Sequence, residues 1–402
     1  MGDLDNITDC KYDFDSITDR KGTGSLKHDC AAERGKPEGL IPLWVADMDF
    51  QVPPEVIAAL KKTAVHGIFG YTEPYPEYFG VLCDWFKRRS GFVPEREWHI
   101  QTPGIVFALA ECVKAFTKEG DAVIIQQPVY YPFSEVVVDN DRRLVNSALV
   151  VRGAQYTADF DDFEKQIVEN EVKLFLLCSP HNPVGRVWTK DELIRMGEIC
   201  LKHNVIIAAD EIHANFVFSG HTHHNFLTLD KRFHAITVLC TSPGKTFNIA
   251  GLQLSDIFIP DPALKEKFLR EHRRSGYSQL NTFAHSGALA AYKYGGNWLD
   301  ALLKYLEANR DFIQRYIEQN IHGIDFFLPE GTYLAWLDFR KLNLTYKEQK
   351  ELIINKAGLW LDSGLIFGHG GAGFERLNFA CPRVLLEQAL EQLKNAVDHI
   401  KK

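Results

Sequence analysis

Residues 174–183 read Leu174-Phe175-Leu176-Leu177-Cys178-Ser179-Pro180-His181-Asn182-Pro183: five apolar residues, then a polar turn with two prolines. An apolar run of this length, closed by breakers, is the pattern of a strand buried on both faces of a parallel sheet. The pattern recurs on either side. Ala122–Ile125 runs toward Pro128, Val205–Ala209 ends in Asp210, and Ala235–Cys240 stops before Ser242. Helical signals lie between the runs. Thr189 with Glu192 three residues on is a capping box, predicting a helix to about His203. Gly104–Phe116 has helical apolar spacing, and Pro53-Pro54 opens a predicted helix to about His66. Strands alternating with helices predict an α/β domain on one large sheet.

Downstream the pattern changes. A helical stretch covers roughly 284–320, then come the apolar run Tyr333–Leu337, a helix near 346–357, the strand-like Glu375–Phe379 and a last helix near 383–400. This predicts a smaller α+β domain on which the start of the chain packs. The expected division is 48–285 for the large domain, and 1–47 with 286–402 for the small one.

The chain has 402 residues, 46% hydrophobic and 24% charged, ordinary for a globular protein and ample for a core without staples. Its 45 basic and 53 acidic residues give a net charge of -8. That balance speaks against a nucleic-acid binder and against attraction to an anionic membrane. Eight cysteines, among them Cys10, Cys178, Cys200 and Cys240, include no C-x-x-C pair, and the last three read as buried free thiols. Met1–Asp5 is acidic with no apolar signal core, and no apolar stretch approaches the ~20 residues of a membrane span. The expected location is the cytoplasm.

The polar residues just after each apolar run carry the chemistry, because ligands of open α/β sheets bind beyond the carboxyl ends of the strands. They are Gln127–Tyr131, Ser179–Pro183, Asp210–His213 and Ser242–Lys245. Together they offer aromatic faces, an amide, a carboxylate and an amine. That set meets the needs of pyridoxal 5′-phosphate (PLP): a lysine for a Schiff base, an acid for the pyridine nitrogen, and a ring to stack on the cofactor. Thr102–Val106, opening a helix, offers N–H groups to a phosphate.

The segments SPHNPVG (179–185), DEIH (210–213), SPGKTFNIAG (242–251), PVYYPF (128–133) and FERLNFA (374–380) resemble the fold-type I PLP enzymes. Within these, PLWVADMDF (42–50), FGYTEP (69–74) and EGTYLAWLDFR (330–340) resemble the cystathionine β-lyase/cystalysin group. The resemblance covers nearly the whole chain in order. It implies the aspartate-aminotransferase-like fold, with a large, mostly parallel seven-stranded sheet. It implies that Lys245 bonds the cofactor and moves the Cα proton, that Asp210 pairs with the pyridine nitrogen and that Tyr130 stacks on the ring. Asn182 and His213 would lie at the cofactor, with Gly104, Ile105, Val106 and Ser242 at its phosphate. Arg376 would grip the substrate carboxylate, with Asn182, Trp44 and Ala46 nearby. Tyr71 would reach the phosphate of a second subunit, implying a homodimer with shared sites.

Three positions depart from common patterns of these enzymes. Gly244 stands where many carry serine, Gln253 where many aminotransferases carry a phosphate-binding arginine, and His213 where they often carry tyrosine. The last favours the lyase group. The expected reaction is β-elimination on L-cystathionine or a related L-cysteine S-conjugate, yielding a thiol, pyruvate and ammonia. The alternatives are an aminotransferase, which shares every cofactor residue, and a regulatory or binding protein on the same fold. Two other motifs are not expected to function. Gly368–Gly373 satisfies G-x-G-x-x-G but precedes a strand-like segment instead of a helix, and Gly244-Lys245-Thr246 lacks the first glycine of a phosphate loop, position 239 being Leu239. His221, His223 and His224 lack a completing ligand, so no metal is expected.

Overall fold

The structure, a computed structural model, describes residues 12–400. Cys10 and the acidic Met1–Asp5 segment lie outside them. The four apolar runs form adjacent strands. Ala122–Ile125, Leu174–Cys178, Ile206–Asp210 and Thr237–Thr241 pair in parallel, with Arg143–Asn146 on the outer flank. Ser255–Phe258 adds an antiparallel strand, and His99–Thr102 completes a seven-stranded sheet.

Alternation along these strands divides the core between two faces. Val123, Leu176 and Val238 pack with Leu109 and Val113 of the helix Ile105–Phe116, whereas Ile124, Phe175 and Leu177 face the opposite layer. Each such side chain, taken wholly out of water, contributes roughly 1.5–3 kcal/mol.

His99–Thr102 and Ser255–Phe258 carry no apolar run, and their strand character comes from long-range pairing. Asp256 is fully buried between them and their cover. Its carboxylate accepts from Tyr78 Oη at 2.9 Å and Tyr292 Oη at 3.1 Å, and lies 2.8 Å from His99 Nε2. A buried carboxylate is tolerated only with such partners.

The predicted helical stretch 284–320 is two helices, Thr282–Tyr294 and Gly296–Asn320. They break at Gly295, where a Cβ would collide with the Phe247 ring and the Ala291 carbonyl. The predicted helix near 346–357 is an α-helix, Tyr346–Glu351, opened by a Thr345–Glu348 capping box and closed by a π turn, Leu352–Lys356. A four-stranded antiparallel sheet holds Asp325–Phe327, Leu334–Asp338, Phe374–Asn378 and Asp362–Ser363 in that order. Ile41–Pro42 pairs in parallel with Leu359–Trp360 beside it. Among the described residues no helix is long and apolar enough to cross a membrane.

Candidate active site

Parallel register brings the polar turns to one edge. Cys178 lies opposite Asp210, and Asp210 opposite Cys240, so the turns after these strands emerge side by side. Ser242 caps the next helical turn, Pro243–Thr246, by accepting from Gly244 N at 3.0 Å, which sets Lys245 at that edge. Lys245 Nζ donates to the Ala46 carbonyl at 2.6 Å. Burial pushes its ammonium down to about 8, against the pull of Asp47, with Arg376 adding to the depression and Asp210 opposing it. A lysine so placed releases its proton near neutral pH and can act as a nucleophile or base.

Asp210 is buried and accepts one hydrogen bond from Ile212 N at 3.0 Å. Burial raises its carboxyl to about 7, opposed by that bond and by Lys245. His213, from the same turn, is held neutral. Burial, then Lys245 and Arg376, bring it down to about 3, and its Nδ1 has no hydrogen-bond partner among the described residues. Its ring stands edge-on to Tyr333 at 5.7 Å.

Arg376 reaches the cluster from the strand Phe374–Asn378 of the smaller sheet. It is 2% exposed, donating through Nη1 to Asn182 Oδ1 at 3.1 Å and through Nη2 to the Trp44 carbonyl at 2.8 Å and to Asp362. Its Nε–H is buried with no partner among the described residues, a donor directed by a fixed fork. Tyr130 N donates to the Asn182 carbonyl at 3.0 Å, tying the aromatic turn to the amide turn. Burial raises the Tyr130 phenol above its ordinary range, keeping it neutral.

The structure therefore brings together Lys245, Asp210, His213, Asn182, Tyr130, Arg376, Trp44 and Ala46. Gly104 adopts φ +150° as the residue before the helix Ile105–Phe116, whose first-turn N–H groups, Ile105 and Val106 included, have no intrahelical acceptor. Ser242 Oγ also donates to the Leu254 carbonyl at 2.7 Å. A Cβ at Gly244 would sit 3.1 Å from Ser242 Oγ and 3.3 Å from Ala250 Cα, so this turn is packed for glycine. Gln253 is exposed in a left-handed conformation at φ 55°. Tyr71 stands apart, 97% exposed, on a loop that also bares Ile68 and Phe69.

The Gly368–Gly373 segment is a turn leading into a strand, with His369 N donating to Gln127 Oε1 at 3.1 Å. His223 lies 2.9 Å from Glu211 Oε2 through Nε2.

Sequence reading did not single out three residues that shape this site. Asp362 engages Arg376 across the small sheet, and Tyr333 Oη donates to the Ala46 carbonyl at 2.9 Å, sharing that acceptor with Lys245. Asn248 clamps the 48–50 backbone, donating to the Met48 and Phe50 carbonyls at 2.9 Å and accepting from Met48 N at 3.0 Å. Asn248 and Tyr333 lie inside the quoted motifs, and a polar residue among the apolar and small residues of such a segment was the available signal. Asp362 gave none, because its pairing depends on strand register.

The residues fit PLP on the structure's own terms. Asp210 is a buried acid that a ring N–H⁺ would satisfy. His213 Nδ1 and Arg376 Nε are orphaned polar atoms at the same centre, and the helix opening at Ile105 suits a phosphate.

The aminotransferase class I and II family model matches residues 38–393. The chain is 40% identical to the cystathionine beta-lyase PatB of Bacillus subtilis (strain 168), over 96% of this chain and 99% of that protein. Its structure is similar to cystalysin from Treponema denticola, which contains a pyridoxal 5′-phosphate cofactor. The TM-score is 0.93 at 39% identity, covering 97% of this chain and 99% of the other. It is also similar to the PLP-bound C–S lyase from Staphylococcus hominis, with a TM-score of 0.90 at 31% identity, covering 97% and 99%.

Proposed function

As this chain belongs to the aminotransferase class I and II family, we propose that it is a PLP-dependent carbon–sulfur β-lyase. It cleaves L-cystathionine or a related L-cysteine S-conjugate to a thiol, pyruvate and ammonia. The observation that carries the lyase reading is the 40% identity to the cystathionine beta-lyase PatB over 96% of the chain; the meeting of Lys245, depressed to about 8, with Asp210 and the Arg376–Asn182 pair supports the cofactor it would use.

Lys245 would hold the cofactor through Nζ, Asp210 its ring nitrogen and Tyr130 its ring face. Asn182 and His213 would lie beside the ring, and Ser242 with the Gly104–Val106 turn at the phosphate. Bound PLP supplies an electron sink for charge that develops at the substrate Cα. The protein's own groups do the rest. Arg376 binds the α-carboxylate with the donors that Asp362, Asn182 and the Trp44 carbonyl leave free, which orients the Cα–H bond. Lys245 Nζ, neutral at moderately alkaline pH, takes the proton from Cα. Asp210 keeps a proton on the ring nitrogen. His213, neutral throughout, adds no charge beside Lys245.

The exposed Tyr71 loop supports a homodimer in which each Tyr71 completes the partner's phosphate site. Free thiols at the described cysteines support a reducing compartment, the cytoplasm. The test is pyruvate release from purified, PLP-loaded protein given L-cystathionine and no keto acid. Prompt pyruvate with matching thiol is expected. Turnover only after a keto acid is added would make the protein an aminotransferase.

A further inference from the structure

A cavity of about 600 Å³ opens beside the candidate site, and no reaction step above uses it. Its floor is the stacked pair Trp44 and Trp360, whose rings lie 4.4 Å apart at 8°. Cations sit over both rings. The Arg34 guanidinium is 4.9 Å from the Trp44 centroid, and Lys36 Nζ is 5.7 Å from that of Trp360. Lys350 lines the same wall, and the Lys36 ammonium is lowered first by burial and then by repulsion from Lys350.

The cavity's carboxylates offset these charges only in part, Asp362 attracting Lys36 and Arg34 and Glu375 attracting Lys36. Asp362 is engaged by Arg376, and Glu375 accepts from Gln349 at 2.8 Å and is raised by burial to about 8, uncharged near neutral pH. With Asp362 shared between Arg376 and these cations, Glu135 is the other carboxylate against Arg34, Lys36 and Lys350, and positive charge is in excess. The cavity borders the site through two residues. Asp362 touches both, and Trp44 gives its carbonyl to Arg376 while its ring lines the cavity.

We propose that this cavity receives the carboxylate at the far end of the substrate's thioether arm, held by Lys36, Lys350 and Arg34. The enzyme then favours cysteine conjugates that end in a carboxylate over uncharged S-alkyl conjugates of equal length. The proposal rests on the β-lyase reading for its substrate class. Arg376 takes the α-carboxylate, the thioether crosses the Trp44–Trp360 floor, and the second carboxylate meets the cations. A half-exposed cation suits such a contact, since it gives up little hydration and still attracts an anion.

The test compares kcat/KM for S-(2-carboxyethyl)-L-cysteine and S-propyl-L-cysteine, in the holoenzyme and in its Lys36→Gln, Lys350→Gln and doubly substituted forms. The preference for the carboxylated conjugate should fall about fivefold in each single variant and further in the double one. Lys36→Arg should retain it, and added salt should erode it in the unsubstituted protein. An unaltered ratio, or equal loss on both substrates, overturns the subsite. Calorimetric titration of the holoenzyme with L-2-aminoadipate and L-norleucine gives a readout independent of turnover. Tighter binding of the diacid, weakened about fivefold by Lys36→Gln, supports the subsite. If that holds while no conjugate yields pyruvate, the lyase reading fails and the subsite stands. Equal affinity for the two amino acids sinks the subsite alone.

Discussion

Burial displaces Lys245 and Asp210 in opposite directions, because in each case it disfavours the charged form. For Lys245 the neutral amine is available from about pH 8 upward, instead of above 10. The rate at which cofactor-stripped protein takes up PLP, followed by visible absorbance, should climb between pH 6 and 8 and then level off. A rate still climbing to pH 10 would mean an ordinary lysine. For Asp210 the folded carboxyl, near 7, holds a proton that the unfolded chain has already released above about 4. Its contribution to stability is therefore highest at or below pH 4 and lost as pH rises to 7. Asp210→Asn should stabilise the cofactor-stripped protein by on the order of 2 kcal/mol at pH 8 and by nothing at pH 4, read by urea unfolding. With PLP restored the same variant should bind the cofactor more weakly. Tyr333→Phe removes one of two donors on the Ala46 carbonyl, and should cost about 1 kcal/mol of stability and move the pH at which PLP uptake levels off.

At the scale of elements, apolar runs placed the four central strands within about two residues, and both the Thr189 capping box and the Pro53-Pro54 start located their helices. The strands His99–Thr102 and Ser255–Phe258 escaped because their polar residues are satisfied by Tyr78 and Tyr292, far along the chain. The break at Gly295 escaped for a related reason. Helical periodicity continues through it, and only the Phe247 ring packed there excludes a side chain. Gly295→Ala should therefore destabilise the protein by about 1–3 kcal/mol in thermal or urea unfolding, the opposite of what helix propensity predicts.

At the scale of the molecule, the site draws on both sheets and, in the proposed dimer, on a second copy. Lys245→Ala and Tyr71→Ala should each inactivate their own homodimer. Mixed by unfolding and refolding, they should recover about a quarter of full activity, since half the dimers are hybrids with one of two sites intact. No recovery would remove Tyr71 from the site. The sequence by itself determined the α/β alternation and the place of the polar turns carrying Asn182, Asp210 and Lys245 after their strands. Those are local properties: hydrophobic period, breaker residues and motif spacing. Only the tertiary structure decided that Arg376 lies between Asp362 and Asn182, that Lys245 and Tyr333 share the Ala46 carbonyl, and that a cationic cavity opens beside them. Such contacts join residues 14 to 287 positions apart. Strand register and domain packing set them, and neither is written in any one stretch of chain.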